Sequence, residues 1–252
     1  MAFNFQTFKT RALTALLFVA VMLTGLLWNF WSFLILFTVI HFGCWFEFVK
    51  LMKKIYAEKY FGYCLLGLVY ITMPILMMID LRMAGVSIWC GNGGGVTGQA
   101  YTNYEYFIIP FVIIPITIII SIWINDTMAY LVGSFIGKTP LTKISPKKTW
   151  EGTLGGIVLS IIVTGLFLSH LDPEIFIKDF KYDFANYHFY IIAGLCAIFG
   201  TLGDLFESKL KRMADVKDSG SFMPGHGGFL DRFDSLLVAV PAVWVYIYFL
   251  IK

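Results

Sequence analysis

Between Ser208 and Asp234 the chain reads SKLKRMADVKDSGSFMPGHGGFLDRFD, a dense polar stretch set between two strongly apolar segments. Lys209, Lys211, Arg212, Lys217 and Arg232 supply positive charge, and Asp215, Asp218, Asp231 and Asp234 supply hard oxygen donors of the kind that small divalent cations prefer. Gly225, Gly227 and Gly228 carry no Cβ, so backbone amides around His226 can approach a ligand closely. Together these groups suit a polyphosphate held with a divalent metal.

The preceding apolar run ends in FGTLGDLFESKLKR, where Asp204, Glu207, Ser208 and Lys211 fall at i, i+3, i+4 and i+7 and share one helical face. A carboxylate at the end of a membrane span is costly unless paired with a cation or a metal. A snorkelling helix end is the plainer account of Asp204. Asp231 and Asp234 open the final helix at i, i+3 spacing, which allows joint metal binding; the plainer account, charge complementarity at a helix N-terminus, explains one acid better than two. Lys217 with Asp218 offers a phosphate contact and a metal contact. His226 suits a phosphate, a metal or simply the closing of its loop.

A second constellation, NDTMAYLVGSFIGKTPLTKISPKKTWEG, runs from Asn125 to Gly152. Lys143, Ser145, Lys147 and Lys148 make a basic, proline-shaped loop fit for a lipid phosphate or a nucleotide, and Thr149, Trp150 and Glu151 open the next span. An ordinary loop rich in basic residues accounts for the lysines but not for Asp126 at membrane depth. Gly133, Gly137, Lys138 and Thr139 imitate a nucleotide-binding P-loop, but the first glycine is misplaced by one residue and Pro140 blocks the helix such a loop requires.

The elements that must position these groups are membrane helices. The chain is 58% hydrophobic and 14% charged, with mean hydropathy +0.77, too apolar for a soluble fold. Apolar runs near 12–28, 30–46, 60–79, 106–124, 153–171, 187–205 and 235–251 predict an all-α polytopic membrane protein with about seven transmembrane helices, the first two forming a tight hairpin. A further segment, 127–137, is too short to cross alone and is expected as a re-entrant or interfacial helix. With the N-terminus inside, fifteen of the nineteen Lys and Arg residues lie on the inner side, leaving Arg82, Lys178, Lys181 and Lys252 outside or terminal. That asymmetry predicts an N-in, C-out topology with the chemistry on the cytoplasmic face, and a surface suited to anionic lipid headgroups. Lys9 and Arg11 precede a retained first span rather than a cleaved signal. Cys44, Cys64, Cys90 and Cys196 are scattered packing residues, and the glycine run 91–95 reads as flexible outer linker. One membrane domain, 1–252, is the simplest division, with variable helices over 1–120 and catalytic helices and loops over 121–252.

The spacing S-x-L-K-R, K-D-x-G and P-x-H-G-G-F-x-D-R-F-D resembles the signature of phosphatidate cytidylyltransferases, also called CDP-diacylglycerol synthases, and the D-T-x-A-Y and S-P-K-K-T-W-E-G strings resemble a second stretch of that family. The resemblance is strong over 120–252. Over 1–60 it is one of character, including Glu47 near the end of the second span. Between 60 and 120 the chain departs, appearing shortened by a pair of helices, and Met128 stands where the family usually has Gly.

The resemblance implies an enzyme of phospholipid biosynthesis that joins CTP and phosphatidate into CDP-diacylglycerol and pyrophosphate with magnesium or another divalent cation. It implies catalytic roles for Asp204, Lys217, Asp218, Asp231 and Arg232. Metal ligation falls to Asp204, Asp218, Asp231 and Asp234. Substrate contacts fall to Asp126, Ser145, Lys147, Lys148, Ser208, Lys211, Arg212, His226, Gly227 and Gly228. A bacterial inner membrane is the expected setting, with a homodimer left open and no nucleic-acid partner. Two alternatives stand beside this reading: a CTP-dependent lipid-alcohol kinase, which would release CDP, and a transporter, which would need neither the glycine loop nor the acidic signature and should show an inverted repeat. The D-G-x-x-A-R motif of CDP-alcohol phosphotransferases is absent.

Overall fold

The computed structural model describes residues 5–92, 105–170, 187–220, 222 and 227–250, and the side chains of a subset of these. Among the described residues, eight α-helices follow in chain order: α1 (Phe5–Leu27), α2 (Phe30–Tyr56), α3 (Tyr60–Cys64), α4 (Met73–Asn92), α5 (Glu105–Ile136), α6 (Trp150–Ser169), α7 (Tyr187–Met213) and α8 (Leu230–Val245). A 3₁₀ turn at Ala57–Lys59 and π turns at Leu68–Thr72 and Tyr246–Leu250 join or extend them. Pro140 and Thr149 form an isolated antiparallel bridge. The chain is an all-α polytopic membrane protein. Among the described residues, five helical stretches are long and apolar enough to cross a membrane: Phe30–Cys64, Ile113–Ile136, Trp150–Ser169, Tyr187–Met213 and Leu230–Phe249.

The expected hairpin between the first two spans is present and has a local cause. The Asn29 side chain accepts from Ser32 N at 2.7 Å, and Ser32 Oγ accepts from Asn29 N at 3.1 Å, a reciprocal capping box that starts α2 at once. Trp28 and Trp31 stand 75% and 68% exposed at this tip, the placement aromatic residues favour at a membrane–water boundary. Along α2, Phe33, Phe37, Ile40, Cys44, Glu47, Phe48 and Leu51 form one buried stripe, while Ile35, Phe42 and Phe46 face outward. In water so much exposed apolar surface would be a liability; against lipid it is the expected exterior.

Two expectations change. Segment 127–137 is not a separate re-entrant helix: α5 continues unbroken through it for 32 residues, about 48 Å at 1.5 Å per residue. The polar pair Asn125–Asp126 lowers hydropathy without interrupting the backbone ladder, and no Gly or Pro intervenes between Pro115 and Gly133. The run expected as a third span, 60–79, is instead broken at α3 and the π turn, and the chain continues as α4 to Asn92, so Arg82 is buried within α4 rather than in an outer loop. Most of the glycine run 91–95, and the acidic stretch 172–183, lie outside the described residues.

Candidate active site

Helix α7 presents the expected site residues on two adjoining faces. On one, Asp204 forms an ion pair with Lys148 of the 138–149 loop, and Ser208 Oγ donates to Asp204 Oδ1 at 3.3 Å. The pair borders a cavity of about 460 Å³ between α5, α6 and α7, whose polar lining includes Asn125, Asp126, Ser145, Lys147, Thr153 and Thr201. Asp126 lies within electrostatic range of both Lys148 and Asp204. The loop is held as a small closed turn: Leu141 N donates to Lys148 O at 2.7 Å, Trp150 N to Thr139 O at 2.9 Å, and Lys138 N and Thr139 N to the Glu151 carboxylate at 3.2 Å. Thr149 caps α6 by accepting from Gly152 N at 3.1 Å.

Gly133, one of the two glycines that imitate a P-loop, serves helix packing together with Gly152. A Cβ on Gly152 would lie 2.8 Å from Ala129 O and 2.9 Å from Gly133 Cα, so α5 and α6 meet backbone to backbone along the cavity wall. Helix contact this close needs residues without side chains.

On the adjoining face of α7, Lys211 pairs with Glu207, buried completely one turn back, and with Asp231 Oδ1 at 2.6 Å. Asp231 Oδ2 accepts from Ser219 N at 2.9 Å and from Gly228 N at 2.8 Å, and lies 2.9 Å from Ser219 Oγ. Gly227 adopts φ +82°, and a Cβ there would come within 2.8 Å of Asp231 Oδ2. The Gly-Gly pair therefore folds the chain around a carboxylate.

The structure sorts the expected site residues accordingly. Asp126, Ser145, Lys147, Lys148 and Asp204 share one cavity; Lys211, Gly227, Gly228 and Asp231 share the neighbouring network, with Ser208 between them. Asp234 is buried on α8, accepts from its own neighbour Ser235 N at 2.6 Å, and lies within electrostatic range of Asp204 and Asp126. Arg212 reaches back to Ile144 O at 3.5 Å, while Lys217, Asp218 and Arg232 are exposed nearby. His226 lies outside the described residues.

The four aspartates expected as metal ligands, Asp204, Asp218, Asp231 and Asp234, stand in different settings. Among the described residues no group of three or more His, Cys, Asp or Glu side chains is gathered as a metal site. Asp231 is occupied by the donors above, and Asp218 points from an exposed loop. Asp126 and Asp204, the two carboxylates open to the cavity, still fit a magnesium ion, which takes one or two protein carboxylates and completes its shell with substrate phosphates and water. Two residues of these networks received no site role in the sequence reading, although Glu47 was noted as the acid ending the second span. Glu207 was on the recognised face but received no role, and Glu47, 4% exposed, accepts hydrogen bonds from Ser219 Oγ and Leu230 N. The available signal was an acid inside an apolar helix, which must have a partner.

An all-helical membrane protein with a lysine–carboxylate cavity at one end of its bundle is equipped to handle phosphates. Residues 95–250 match the Cytidylyltransferase family, and the chain belongs to that family. It is similar to the phosphatidate cytidylyltransferase of Bacillus subtilis, at 43% identity over 136 residues, 52% of this chain and 45% of that protein. Similarity to the phosphatidate cytidylyltransferase of Staphylococcus saprophyticus is 31% over 196 residues, covering 77% and 62%. The chloroplastic phosphatidate cytidylyltransferase 4 of Arabidopsis thaliana is 48% identical over 115 residues, 45% of this chain and 27% of that one. The chain thus spans from about a quarter to just over three fifths of the length of these relatives.

Proposed function

We propose that the chain transfers the cytidylyl group of CTP to phosphatidate, giving CDP-diacylglycerol and pyrophosphate. The observation that carries the reading is the Lys148–Asp204 pair at a cavity built from helices of the matched family region. A phosphate monoester is already an oxyanion near neutral pH, so the nucleophile needs no strong base. An oxygen of phosphatidate attacks the α-phosphorus, the bond to the β-phosphate oxygen breaks, and pyrophosphate departs with the electron pair.

The obstacle is bringing two anions together, and the chain's own contribution is neutralisation and positioning. Lys147 and Lys148 offer cations at the cavity, Lys211 offers one beside it, and the rigid turn 138–151 fixes where the first two stand. Magnesium, held by Asp126 and Asp204, would neutralise and orient the triphosphate oxygens. The setting we propose is a bacterial inner membrane with the cavity open to the cytoplasm.

Incubation of the purified protein with labelled CTP, phosphatidate and magnesium is expected to yield pyrophosphate and a lipid-linked cytidine diphosphate in equal amounts, and to stop in excess chelator. Release of CDP with a phosphorylated lipid would instead indicate a kinase, and turnover in chelator would remove the metal from the scheme.

A further inference from the structure

Helix α8 begins without a local cap. Its N-cap residue is Phe229, which has no side chain able to accept from the first-turn amides, although an uncapped helix start leaves several N–H groups without partners. The missing acceptor comes from α2: Glu47 Oε2 accepts from Leu230 N at 2.9 Å, across 183 residues of sequence. The same oxygen lies 2.8 Å from Ser219 Oγ, whose single proton it shares with Asp231 Oδ2 at 2.9 Å. Both ends of the glycine-rich segment are cut away to receive this carboxylate, since a Cβ on Gly220 or on Gly228 would overlap it. One turn earlier on α2, a Cβ at Gly43 would meet the Phe229 ring at 2.5 Å, so the helix is shaped to seat the start of α8.

We infer that Glu47, on a helix outside the matched family region, is a positioning residue: it fixes Ser219 and Leu230, through them Asp231, and through Asp231 the Lys211 cation beside the cavity. The geometry stands by itself, and its catalytic consequence rests on the proposed cytidylyl transfer. Misplacing a charged group by about 1 Å can cost on the order of 10²-fold in rate. Glu47→Ala is therefore expected to lower kcat by roughly that factor while leaving KM for phosphatidate within about twofold. Glu47→Gln keeps an oxygen for Leu230 N and is expected to recover to within about tenfold of the parent.

Gly220→Ala supplies the decisive partner variant. Its new methyl group collides with the Glu47 carboxyl group in the parent, and Glu47→Ala removes all three atoms of that collision, so the double variant should be no slower than Glu47→Ala alone. Multiplying losses, a parent-like kcat in Glu47→Ala, or a Gln variant no better than Ala would each overturn the inference. Trypsin cleavage after exposed Lys217, compared with cleavage after exposed Lys54, gives a readout independent of the reaction. Glu47→Ala should raise the first selectively, and unchanged cleavage would overturn the positioning role. A parent protein inactive towards CTP and phosphatidate, yet showing that selective cleavage, would refute the proposed function and leave the positioning intact.

Discussion

Lys148 and Asp204 meet across 56 residues of sequence, with side chains still 30% and 28% exposed. A pair this open to solvent contributes only about 0–1 kcal/mol to stability, so retaining both residues for the fold's sake makes little sense. The Lys211–Asp231 pair differs, because its side chains are 15% and 11% exposed and Asp231 also gathers Ser219 and Gly228. Removing one partner of a buried pair typically costs about 3–5 kcal/mol. The two sites therefore predict opposite profiles. Lys148→Met should keep its melting temperature but lose on the order of 10²-fold in kcat, whereas Asp231→Asn should lose both activity and several degrees of thermal stability. Asp215→Asn is the control: Asp215 sits at φ +50°, a conformation Asn adopts readily, so rate and melting temperature should stay near the parent's. A thermally normal Asp231→Asn, or an unstable Lys148→Met, would contradict this division of labour.

At the scale of elements, the cavity wall depends on how closely α5 and α6 approach. Gly152 faces the Ala129 carbonyl and Gly133 Cα, backbone atoms that cannot swing aside. Gly152→Val should overpack this contact by about 1–3 kcal/mol and lower both melting temperature and turnover. Gly62→Ala in α3, where an added Cβ meets nothing within 4 Å, should change neither. Equal tolerance at the two positions would show that the helices separate freely.

Much of this architecture was legible in the chain because apolar runs begin at residues with their own capping chemistry, as at Asn29 and Thr149. Hydropathy misled at Asn125–Asp126, since a helix satisfies its backbone internally and can carry a polar pair past the point where the apolar run ends. Arg82 misled for the same reason: a buried cation in α4 depends on its surroundings, including the Phe33 ring 5.4 Å away, which sequence alone does not display. The signature's spacing pointed to the loop and the stretch of α7 whose polar side chains meet in the structure. It could not show that Asp231 would be consumed by Ser219, Gly228 and Lys211, nor that Glu47 would close a helix start 183 residues later, because those facts are made by tertiary contact.

At the scale of the whole molecule, three basic segments that are remote in sequence gather at one end of the bundle. Arg212 Nε donates to Ile144 O at 3.5 Å, Lys148 pairs with Asp204, and Glu47, two turns before Lys54, holds Leu230. The α1–α2 tip with Trp28 and Trp31 lies at the far end of α2 from Lys53 and Lys54. Basic residues are retained on the cytoplasmic side, so the proposed orientation places Lys143 and Lys217 inside and Trp31 outside. In a background without the native cysteines, a Cys at Lys143 or Lys217 should react with an impermeant thiol reagent in inside-out vesicles and be protected in intact cells. A Cys at Trp31 should show the reverse. Because all three positions are exposed on the protein, failure to label reports the membrane barrier rather than burial. Labelling of Lys217→Cys in intact cells, with Trp31→Cys protected, would invert the topology and place the cavity away from cytoplasmic CTP.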